Sequence, residues 1–199
     1  MERRTSEIYN CMMRYKKRKN LKVLDIGTAD GGMMSQMTAK IPEANFIGID
    51  LSPYLLTKAL GKKLTVVSSD ACKLPFNEAT FDVITAAAVI EHFDNIEEAV
   101  GEIIRVLKIS GLCVFTTPNP LHDYVASTLF PWYGKDHKKR LSLRVLKGIF
   151  LKHKLTPLVA EGFLFLPFSL PFTQSIEKFL KRMGLGFLLF NQIIAGQKQ

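Results

Sequence analysis

Along this chain, short dense runs of apolar residues alternate with longer stretches in which apolar positions recur at helical spacing. The run at 22–26 suits a strand buried on both faces, and similar runs follow at 45–50, 64–68, 83–87 and 112–117. Between them, 32–40, 53–60 and 96–107 carry the period of helices, the last introduced by Asp94 or Asn95 as a cap. This alternation predicts right-handed crossovers and a parallel sheet, the α/β class. Ile109, Ser110 and Gly111 read as a turn before the strand at 112, and Thr117-Pro118-Asn119-Pro120 reads as its end. A basic helix over 6–19 is expected before the first strand. The last third predicts a helix over 142–153, a strand over 156–165, a helix over 174–183 and a strand over 187–195, with Gly184 and Gly186 supplying the turn before the last.

The junction of the first strand and helix carries the clearest chemistry. Gly27 permits a tight turn at the strand's carboxyl end, and Gly31 and Gly32 let backbone approach a ligand and present amide donors of the first helical turn. Asp50, at the tip of the second strand, stands about 20 positions beyond the glycines, where an acid accepts hydrogen bonds from ribose hydroxyls. Gly27, Ala29 and Gly32 also fit a degraded dinucleotide fingerprint, so the glycines alone leave two cofactors open. Asp25, just before the turn, would repel a pyrophosphate and attract an ammonium group, which favours S-adenosylmethionine.

With these residues in place, VLDIGTADGG resembles the first motif of class I S-adenosylmethionine-dependent methyltransferases, FIGIDLSP the second and SSDACKLPF the third. FDVITAAAVIEHF and RVLKISGLCVFTTPNP are similar to the fourth and fifth, in the family's order and spacing. The resemblance implies a Rossmann-like, seven-stranded, mostly parallel sheet of order 3-2-1-4-5-7-6, its seventh strand antiparallel, with helices on both faces. It also implies that Asp25 and Gly27 contact the methionine portion, Asp50 the ribose, and Asp70 with Ala71 the adenine edge. Thr28, Ala29, Gly31, Leu51 and Ala87 complete the implied cofactor-binding set. The chain departs from the family at Ala29, where glycine is commoner, and at Asp30, where a small hydroxyl residue is usual.

Methyl transfer needs orientation, exclusion of water and, for a protonated acceptor, a base. His92 follows the fourth strand at the sheet's carboxyl edge and is the candidate base or, more plainly, a local hydrogen-bonding residue. Glu91-His92 is similar to the end of the Glu-x-x-Glu-His metal site of some methyltransferases. Ala88 stands where the first glutamate would be, so no metal is expected. His122 and His137 fall in the segment 118–141, which with 162–174 is expected to cover the acceptor; each is either a solvated loop residue or an acceptor-site residue. Phe163, Phe165, Phe168 and Phe172, around Pro167 and Pro171, suit core packing, an apolar pocket or lid, or a docking surface.

A length of 199 residues with 47% hydrophobic and 23% charged residues fits one globular domain over 1–199. Three scattered cysteines make neither a disulfide framework nor a zinc site, and no apolar stretch is long enough to span a membrane, so a cytoplasmic setting is expected. The net charge of +9 concentrates in 1–20 and 133–154. Such clusters are either a solvated face or a contact with anionic partners, an acidic substrate or a membrane surface among them. No RNA-binding motif accompanies them and aromatics are not interleaved for stacking, which argues against nucleic acid. The expectation is a methyltransferase acting on a small, apolar or lipid-like acceptor. An RNA or protein methyltransferase and a non-catalytic cofactor-binding subunit are the alternatives.

Overall fold

The computed structural model describes residues 2–16, 20–129, 139–163 and 173–199. Its frame is a seven-stranded sheet of order β3-β2-β1-β4-β5-β7-β6, as the motif order implied. The strands are β1 (Lys22–Ile26), β2 (Asn45–Asp50), β3 (Val66–Ser68), β4 (Phe81–Ala87), β5 (Leu107–Pro118), β6 (Leu155–Phe163) and β7 (Asn191–Lys198). β1 through β5 pair in parallel, and β7 lies antiparallel between β5 and β6. The helices are α1 (Glu2–Tyr15), α2 (Gly32–Lys40), α3 (Pro53–Gly61), α4 (Ile96–Val106), α5 (Pro120–Leu129), α6 (Leu143–Lys152) and α7 (Thr173–Arg182).

The period of the strands sorts side chains into two cores. On one face, Leu24, Ile26 and Ile84 pack with Val100 and Ile103 of α4 and with Leu146 and Phe150 of α6. On the other, Val23, Val83 and Val114 meet Ile8 and Met12 of α1 and Met34 and Met37 of α2. Helix starts follow their caps: Ser52 Oγ accepts from Leu55 N, Asn95 Oδ1 from Glu98 N and Ser142 Oγ from Val145 N.

Beyond shifts of a residue or two, such as β3 starting at Val66 and β4 at Phe81, four boundaries differ from expectation. Helix α1 begins at Glu2, because Thr5, Ile8 and Met12 set the buried face rather than the basic run beyond Tyr15. The expected turn at 109–111 is a bulge inside one long strand. Phe81 opposes Leu107 but Val83 opposes Leu112, so residues 108–111 swell out beside Asp82 with Ser110 at φ 58°. The expected strand end at 117–120 is also a helix start. Asn119 Oδ1 accepts from Leu121 N, and Pro120 opens α5 with its φ already set. The last strand begins at Asn191, after a short 3-10 turn, Gly186–Leu188, takes up the residues expected to begin it.

Candidate functional site

The carboxyl tips of β1 and β2 are stitched together through the glycine turn. Thr28 N donates to Ile49 O at 2.9 Å, and Asp50 accepts from Ala29 N at 2.9 Å and Ser52 N at 2.8 Å. Gly27 has φ +68°, and a Cβ there would stand 2.4 Å from Val89 Cγ2, so only glycine lets the segment after β4 cross the turn. Ala29 takes the left-handed region too, at φ 50°, at the position where the family favours glycine. Asp30, the other departure, accepts from Gly32 N at 3.1 Å and from Lys62 Nζ at 2.9 Å. The Lys62 hydrogen bond lowers its pKa and neutralises its charge.

Beneath the turn, Asp25 is 2% exposed and accepts from Thr85 Oγ1 at 2.8 Å. Burial pushes its carboxyl up to about 6, the Thr85 and Thr28 hydroxyls pull it down, and the Asp50 charge raises it further. Asp25 and Asp50 therefore feel each other across the turn, and the field there is negative. Such a field suits a cation and opposes a pyrophosphate.

A cavity of about 150 Å³ opens beside the turn. Gly27, Asp50, Leu51, Asp70, Ala71 and His92 line it, bringing together five expected cofactor residues and one candidate base. Ile26, Ile49, Val89 and Phe93 supply its apolar walls. Asp70 Oδ1 accepts from Cys72 N at 2.9 Å, a local turn that sets Ala71 in the wall. His92 closes the 3-10 turn Ile90–His92, its amide donating to Val89 O at 3.0 Å.

Asp25, Thr28, Ala29, Gly31 and Ala87 do not line this cavity. Asp25 and Thr28 are buried under the turn, and the Ala29 amide is spent on Asp50. Gly31, at φ +74°, packs against Leu64 and Ala59, while Ala87 packs against the α1 and α2 layer. His122 is no solvated loop residue, since its Nε2 donates to Leu188 O at 2.6 Å and its ring meets Phe190 edge-on. His137 and the segment 164–172, with Phe165, Phe168 and Phe172, lie outside the described residues. Val89 and Phe93 went unrecognised as site residues, although they flank His92 in the fourth motif.

A second, larger cavity of about 720 Å³ lies on the same sheet edge, beyond β5. Asn119, Leu121, Leu143, Ala160, Gly162 and Gln192 are among its lining residues. Between the two cavities, Glu91, Thr117, Asp123 and Arg140 line a narrow cleft that shares Pro120 with the larger one. Part of the wall of each cavity belongs to the α4 and α6 layer: Val89 and Phe93 pack against that core at one end, Leu143 and Ala160 at the other. Ligands of open parallel sheets bind at this carboxyl edge.

Residues 24–115 match the family described as "Methyltransferase domain". The chain is 30% identical over 165 residues to demethylmenaquinone methyltransferase of Chlorobaculum tepidum, covering 82% of this chain and 64% of that protein. It is 36% identical over 143 residues to malonyl-[acyl-carrier protein] O-methyltransferase of Herminiimonas arsenicoxydans, covering 71% of this chain and 52% of that one. The matches thus span less than two thirds of these relatives. Among solved structures, a SAM-dependent methyltransferase from Archaeoglobus fulgidus superposes with TM-score 0.69 at 21% identity, over 98% of this chain and 94% of that one. Haemonchus contortus phosphoethanolamine N-methyltransferase 2, with S-adenosylhomocysteine, gives 0.74 at 19%, over 97% and 52%. At such identities these two likenesses speak for the fold alone. The five ordered motifs, this sheet order and the matched domain together support a place in the class I S-adenosylmethionine-dependent methyltransferase superfamily.

Proposed function

We propose that this protein transfers a methyl group from S-adenosylmethionine to a small, apolar or lipid-like acceptor. The observation that carries the reading is the pairing of two cavities on one sheet edge, a small acid-tipped slot and a larger cavity walled in part by Leu121, Leu143 and Ala160. The slot fits the cofactor's chemistry: apolar walls for an adenine, Asp50 for ribose hydroxyls, and a negative field for a cationic ligand. The relatives named for demethylmenaquinone and malonyl-[acyl-carrier protein] support an acceptor that is small and lipid-like.

In this reading the cofactor, when bound, supplies an electrophilic methyl group on a sulfonium. Asp50 orients it by accepting from the ribose, and Val89 and Phe93 keep water from its face. His92 would take the acceptor's proton during the transfer. The covering segments 118–141 and 162–174 select the acceptor, and Asn119, Pro120, Leu121 and Gly162 are the described members of them that line the larger cavity. The whole chain, 1–199, acts as one domain.

The test is a transfer assay with methyl-labelled S-adenosylmethionine. A naphthoquinol bearing a short isoprenoid chain, a bulk RNA fraction and a protein extract serve as parallel acceptors. Label in the organic phase, together with calorimetric binding of S-adenosylhomocysteine and none of NAD, is the expected result. Label only in RNA or protein would overturn the acceptor class, and NAD binding the cofactor.

A further inference from the structure

Helices α5 and α7 are both amphipathic, and both are seated the wrong way round for a water-soluble protein. In α7 the side turned to the body is charged. Glu177, 6% exposed, pairs with Arg3 of α1 at 2.9 Å, and Lys181 bridges Glu177 at 3.0 Å and Glu161 of β6 at 2.9 Å. Ile176 and Phe179 of α7, with Met183 just past its end, recur at helical spacing and are 46%, 61% and 59% exposed. In α5 the buried side holds Asp123, 5% exposed and bridged to Arg140, while Tyr124, Val125 and Leu129 are 57%, 44% and 67% exposed. A surface helix ordinarily turns its apolar stripe to the core. Here two helices keep ion pairs inside and leave apolar stripes outside, and both border the larger cavity, through Leu121 and Lys181.

We propose that these two stripes dock the protein on an anionic lipid bilayer, with the mouth of the larger cavity at the membrane surface. Charge selects this occupant over a second copy of the chain. Lys178 and Arg182 stand beside the α7 stripe, Arg144 of α6 lines the same cavity, and the whole chain carries +9. Two such surfaces would repel one another, whereas anionic headgroups attract both the cations and, through the interface, the apolar stripe. Among the described residues no helix is long and apolar enough to cross a membrane, so the contact is one of helices lying in the interface. The inference goes beyond the proposed reaction and stands whatever the acceptor is.

Flotation of the full chain with vesicles tests it, comparing phosphatidylglycerol mixed into phosphatidylcholine with phosphatidylcholine alone, at low and raised salt. The expected result is partition onto the anionic vesicles that weakens with salt, and a loss of about tenfold or more in the triple variant I176S/F179S/M183S. The variant K178E/R182E should also lose affinity and most of the salt dependence. Melting curves and S-adenosylhomocysteine binding, read on each variant, separate a docking defect from unfolding, and Y124S/L129S on α5 gives a second, independent stripe. The proposal is overturned if wild type ignores anionic vesicles at low salt, or if folded stripe variants float as well as wild type. A concentration-dependent dimer in sedimentation velocity, abolished by the same α7 variant, would give the stripe to a second copy and overturn it equally.

Discussion

The carboxylate of Asp50 accepts a hydrogen bond from the Ala29 amide at 2.9 Å, tying the tip of β2 to the turn after β1. One side chain thus fixes the loop and presents its remaining lone pairs to the adjoining slot. Asp50→Ala should lower affinity for S-adenosylhomocysteine by about a hundredfold or more, since charge-assisted hydrogen bonds contribute roughly 1.5–3 kcal/mol each. Calorimetry is the check, and affinity within about threefold of wild type would remove Asp50 from the ribose role.

Asp25 makes stability depend on pH. The native state holds its proton more tightly than the unfolded chain, about 6 against 3.8, so this contribution is complete below 3.8 and lost as pH rises through 6. The displacement corresponds to about 3 kcal/mol. Asp25→Asn does not titrate, so its urea stability should gain on wild type as pH rises through that window and hold a constant lead above it. A lead that does not change with pH would mean that Asp25 is ionised throughout.

Gly27→Ala meets two separate obstacles, a left-handed backbone and the Val89 side chain 2.4 Å from the new Cβ. Backbone strain alone costs about 1–2 kcal/mol, and overpacking adds about 1–3 kcal/mol. In urea titrations the double variant G27A/V89A should recover the packing part only. Full recovery would show that the φ requirement is not real.

His92→Gln should leave S-adenosylhomocysteine binding intact and reduce kcat on a protonated acceptor by about 10²–10⁴. Unchanged kcat would make His92 a wall residue of the slot.

Ala160→Phe fills part of the larger cavity from β6. Acceptor turnover should fall about tenfold or more while cofactor affinity stays within about threefold, because the slot lies at the other end of the sheet edge. Equal loss of both would mean that the two cavities form one site.

The parallel half of the sheet was legible because each strand there is a dense apolar run and each crossover has a helical period. The lining of the slot was anticipated at Gly27 and Asp50 from the turn and the strand tip, and at Leu51, Asp70 and Ala71 through the family resemblance. Val89 and Phe93 were not, because an apolar wall of a ligand slot is spelled like any core residue. Helix α5 was hidden by its own start signal: Asn119-Pro120 stops a strand and opens a helix with equal force. Burial of Asp25 and Thr28 beneath the turn depends on Thr85 one strand away, which no local pattern records.

The position of β7 bears on how the chain reaches its final form. β6 is made of earlier residues than β7, yet its partner in the sheet is β7, which pairs in turn with β5. Until Asn191–Lys198 slides between them, β5 presents a bare row of amides and carbonyls and β6 has no neighbour to bond with. The closing event is therefore long-range and late, and the apolar residues of β5 and β6 are exposed to self-association for as long as it is pending. Removal of β7 alone would turn a closed-up sheet into two sticky fragments, with β1 through β5 intact and β6 adrift.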